Sequence, residues 1–60
     1  MSENMRQFLL ALNAYEAEWY KLADMIETNA SIVEQRIQQS CIEAQKTVLK
    51  MTAWVLEEKE

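Results

Sequence analysis

Neither glycine nor proline occurs anywhere in the 60 residues of this chain. An average sequence of that length carries about seven of the two together. They are the usual punctuation of turns, strand ends and bulges, so their absence excludes a loop-rich or multi-hairpin β fold. Histidine is missing as well, which removes the commonest metal ligand and the commonest general base. Cys41 is the single cysteine, so no intrachain disulfide can form. No apolar run approaches the roughly 18 residues of a membrane span. The opening MSENMRQF has neither the basic nor the apolar region of a secretory signal. A cytosolic chain with no membrane partner is the expectation.

Charge of one sign is scarce too. The formal net charge is −4, with five acids and two bases in residues 1–29 and five acids and four bases in residues 30–60. Phosphate backbones are gripped by clustered Lys and Arg, so this balance argues against nucleic acid as a partner. It is also far from the dense acidity of a DNA mimic.

What the chain does have is helix formers. Ala, Leu, Met, Gln, Glu, Lys and Arg fill 37 of the 60 positions. In the first half Met5, Phe8, Leu12, Tyr15, Trp19, Leu22 and Ile26 follow one another at alternating spacings of three and four. That rhythm places all seven on one stripe of an α-helix. In the second half Ile37, Cys41, Ala44, Val48, Met51 and Val55 keep the same rhythm. Ile42, Leu49 and Leu56 add a parallel row seven residues apart. The second helix is therefore apolar on two adjoining sides, which suits an element touching two neighbours at once.

Between the halves, Thr28-Asn29-Ala30-Ser31 carries a stop and a start. Asn29 is the non-glycine residue best able to adopt the left-handed conformation that closes a helix. Ser31 followed by Glu34 has the form of a capping box. The sequence thus predicts an all-α antiparallel hairpin: helix over about 3–28, turn over about 29–31, helix over about 32–58. The alternative is one long coiled-coil helix, joined through Ala30 and Val33 with two four-residue steps that only relax the supercoil.

A 60-residue domain buries only about 60% of its unfolded surface, and two helices cover only one side of each other. Pairing two hairpins into a four-helix bundle would dry the remaining apolar surface. A homodimer is expected, with the two stripes (residues 5, 8, 12, 15, 19, 22, 26 and 37, 41, 44, 48, 51, 55) as its interface. Leu10, Tyr20, Ile42, Leu49, Trp54 and Leu56 fall outside those stripes and are the candidates for contact with a protein partner, Trp and Tyr being the usual interface anchors.

Site chemistry is missing. Cys41 sits on the apolar stripe, where a buried thiol is inert. Glu16 and Glu18 cannot share a helix face, and Glu43 with Lys46 is an ordinary surface pair. A carboxylate metal site in a bundle needs inward Glu, usually with Glu-x-x-His, and the stripes hold neither. No catalytic, cofactor-binding or metal-ligating residue is expected. The polar run Gln35, Gln38, Gln39, Ser40 and Gln45 reads as a solvated face or as a hydrogen-bonded layer that sets register. The function expected is that of a non-enzymatic interaction module, a small regulatory adaptor or inhibitor. The alternative is a structural oligomerisation subunit or small helical chaperone, with a nucleic-acid-binding bundle a distant third.

Overall fold

The computed structural model describes residues 2–59. It contains two helices, α1 (Glu3–Glu27) and α2 (Ile32–Lys59), folded into an antiparallel hairpin of 43 × 17 × 11 Å. The hairpin, not the continuous rod, is the fold. No helix among the described residues is long and apolar enough to cross a membrane.

Capping explains where the helices begin and end. At the start of α1 the Ser2 hydroxyl accepts a hydrogen bond from the Met5 N–H at 3.0 Å. At the start of α2 the Ser31 hydroxyl does the same for Glu34, at 3.2 Å. Each satisfies one of the donors a first helical turn leaves open. The turn between them solves the missing-glycine problem with Asn29, which has φ of 57°. The Ala30 N–H reaches back to the Met25 carbonyl at 2.9 Å, and the Asn29 N–H to the Ile26 carbonyl at 3.2 Å. These two bonds form a Schellman closure with asparagine in the left-handed position. Gln35 seals the far side by donating from Nε2 to the Ala30 carbonyl at 3.0 Å.

Two rows meet between the helices. On α1 they are residues 4, 8, 11, 15, 18, 22 and 25; on α2 they are 35, 38, 42, 45, 49, 52 and 56, and every one is buried or half-buried. Ala11, Leu22 and Ile42 are the buried apolar residues, with Ile42 only 4% exposed. The expected α1 stripe is therefore split. Phe8, Tyr15 and Leu22 turn inward as the spacing predicts, whereas Met5, Leu12, Trp19 and Ile26 lie on the flank, one residue round from the row that faces α2. The small side chain of Ala11 and the polar pairing of Glu18 with α2 account for that rotation of α1.

The seam is unusually polar. Gln38 is 6% exposed, and its Nε2 donates to both the main-chain carbonyl and Oε2 of Glu18, each at 2.7 Å. Lys21 Nζ donates to the other carboxylate oxygen of Glu18 at 3.1 Å. A buried amide with its donors used is tolerated; one with donors unpaired is not. The bond from Gln38, then that from Lys21, holds the Glu18 carboxyl below its ordinary value. Of the polar run seen in the sequence, Gln38 makes a cross-helix, register-defining bond, while Gln39 and Ser40 are exposed.

Candidate interaction surfaces

Each helix keeps its greasier row on the outside. On α2 the row facing α1 alternates Gln35, Gln38, Gln45 and Thr52 with Ile42, Leu49 and Leu56. The neighbouring row of Ile37, Cys41, Ala44, Val48, Met51 and Val55 is wholly apolar, yet Ile37 is 61% and Met51 63% exposed. On α1 the flank row Met5, Leu12, Trp19 and Ile26 is also wholly apolar, and Trp19 is 49% exposed. Burying a large apolar side chain yields about 1.5–3 kcal/mol, so an isolated hairpin forgoes much of its available stabilisation. Its accessible surface of 4663 Å² exceeds the roughly 4,100 Å² that scaling gives for a compact monomer of this mass.

The two outward rows lie on opposite sides of the hairpin. The α1 row is one residue after the seam positions 4, 11, 18 and 25, which is about 100° round the helix. The α2 row contains residues 41, 48 and 55, one residue before the seam positions 42, 49 and 56. Because the helices run antiparallel, offsets of opposite sign point to opposite flanks.

The clefts between the helices follow this division. On the α1-row flank an open cleft of about 560 Å³ is bounded by Trp19, Leu22 and Ile42 on its floor and by Arg36, Gln39 and Glu43 along α2. On the other flank a cleft of about 380 Å³ is walled by Val48, Met51 and Val55 against Asn4 and Gln7 of α1, and no charged residue lines it. Trp19 is held at the edge of the first cleft by Tyr15, whose ring meets it edge to face with centroids 6.4 Å apart and planes at 85°.

Several sequence-predicted positions move between roles. Ile42, Leu49 and Leu56, expected to be free for a partner, pack in the intramolecular seam; Ile42 is buried and the other two are half-buried. Two helices can share only one row each, and α2 spends this one on α1. Cys41, expected to be buried, is exposed on the hairpin, because the stripe that carries it is the outward one. Leu10, Tyr20 and Trp54 are exposed as read from the sequence, Tyr20 at 74%. Sequence reasoning missed the inward role of Asn4, Ala11 and Glu18. Their common seven-residue spacing is visible in the chain, but their mixed polarity hides it.

Among the described residues no group of three acidic, cysteine or histidine side chains is placed to hold a metal ion. No protein-family model, curated protein or solved structure matches this chain.

Proposed function

We propose that this chain is a non-enzymatic protein–protein interaction module, acting as a homodimer through one of its apolar helix faces and offering the other to a client protein. One observation carries the reading: both helices turn their most apolar rows away from each other. Contiguous exposed apolar surface of this kind marks association sites. The Trp19 face has the makeup of a client site, with an aromatic anchor beside a cleft rimmed by Arg36 and Glu43. The charge balance argues against nucleic acid in that role. Sedimentation equilibrium over a dilution series tests the reading. It predicts a dimer that dissociates on dilution, and a monomer at every concentration would refute it. For the client face, Trp19→Ala with Ile26→Ala should abolish binding while leaving the dimer intact.

A second reading follows from the opposite placement of the two rows. If copies occupied both faces, the chain would build assemblies larger than a dimer, as a structural subunit or small helical chaperone does. Light scattering separates the two: a mass that keeps rising with concentration beyond two chains favours the assembly subunit.

A further inference from the structure

We propose that the self-pairing face is the outward row of α2, and that a second copy covers it two-fold and antiparallel, with Ile37 against the partner's Val55, Cys41 against the partner's Met51 and Ala44 against the partner's Val48. This rests on the homodimer reading above and assigns it a face, an orientation and a register.

The face is chosen by charge. From Ile37 to Val55 no charged side chain lies on the outward row of α2, which Ser40 and Thr47 flank. Lys46 and Lys50 fall on the opposite flank of the helix, and Arg36 and Glu43 on its outer side, at about the azimuth of Trp54. Depletion of charge at the core with polar groups outside is the makeup of an interface centre. The Trp19 flank, by contrast, is lined by Arg36 and Glu43. Ile37, Val48 and Met51 leave 61%, 45% and 63% of their surface open along the stripe, apolar area of the kind a partner copy would cover.

The orientation is chosen by side-chain size. Spacings of 4, 3, 4, 3, 4 read the same in both directions, so an antiparallel partner centred between Ala44 and Val48 matches all six positions at once. Sliding by one heptad in either direction leaves two of them unmatched. In the matched register small faces larger: Cys41 meets methionine, Ala44 meets valine, and Trp54 lies over the partner's Ser40 on the flank. A parallel pair would stack Ala44 on alanine and Met51 on methionine, leaving a void at one layer and crowding at another.

Disulfide trapping tests the register. In Met51→Cys the two cysteines of one chain are ten residues, about 15 Å, apart along α2, too far for an intrachain bridge. Across the proposed interface Cys41 and the new cysteine are neighbours. Under mild oxidant this variant should form a covalent dimer, bridged twice, roughly tenfold faster than the unmodified chain forms its single Cys41–Cys41 bridge. Cys41→Ser with Ile37→Cys and Val55→Cys should do the same, which guards against a local failure at position 51. If the unmodified chain cross-links through Cys41 as fast as Met51→Cys, the pair is parallel and the proposal is overturned. If sedimentation finds a dimer but neither variant cross-links faster, the dimer uses another face; the proposal falls while the interaction-module reading survives. A monomer at all concentrations sinks both.

Discussion

The sharpest separation between the inward and outward rows comes from truncating one isoleucine in each. Ile42 is 4% exposed, so Ile42→Ala loses nearly all of its transfer free energy and leaves a cavity, a cost of about 2–5 kcal/mol. A chain of 60 residues has a total stability of roughly 3–9 kcal/mol, so this one change removes between about a fifth and all of it. Ile37 is 61% exposed, and on a lone hairpin only the remaining two-fifths of its side chain is at stake, about 0.6–1.2 kcal/mol. In a dimer closed over the α2 stripe, the same truncation loses the rest as well. Urea unfolding followed by far-ultraviolet circular dichroism, at protein concentrations about a hundredfold apart, distinguishes the cases. Ile42→Ala should lower the midpoint at both concentrations. Ile37→Ala should lower it mainly at the higher one, so that the concentration dependence of the unmodified chain shrinks. An Ile42→Ala variant within about 0.5 kcal/mol of the unmodified chain would refute the seam described here. Equal losses from Ile37→Ala at both concentrations would refute the outward placement of its row.

Two further outcomes follow from single contacts. Glu18 is held below its ordinary value of 4.5 in the folded chain, so it stabilises the fold fully above that value, and the contribution is lost as pH falls through the lowered folded value. Gln38→Leu should return the Glu18 titration, followed by carboxyl NMR shifts, toward the ordinary value and flatten that acid-side loss. Asn29 has φ of 57°; Asn29→Gly should raise thermal stability slightly and Asn29→Val lower it by about 1–2 kcal/mol, measured by melting.

The hairpin is legible in the chain because its signals are local. Asn29, Ser31 and Glu34 announce the turn within six residues, and the structure places the left-handed residue and the serine cap there. The choice of inward row is less legible, because it depends on a competition between rows 100° apart on the same helix. Hydrophobicity ranks Met5, Leu12, Trp19 and Ile26 above Asn4, Ala11, Glu18 and Met25. The fold prefers the second set, since Ala11 permits close approach and Glu18 satisfies Gln38. Apolar periodicity therefore reports which faces are apolar, without saying which of them the paired helix covers. Ile42 and Ile37 look equally like core in the sequence, and only the paired helix tells them apart.

In the proposed dimer, the opposite-sided placement of the two apolar rows would fix the geometry of client binding. With the α2 faces closed on one another, two identical Trp19 faces would point away in contrary directions. A single compact ligand molecule could not grip both, so such a complex would saturate at one per chain without crowding. A ligand that is itself paired would be strung end to end, and mixing at equal stoichiometry would yield insoluble chains that an excess of either component dissolves.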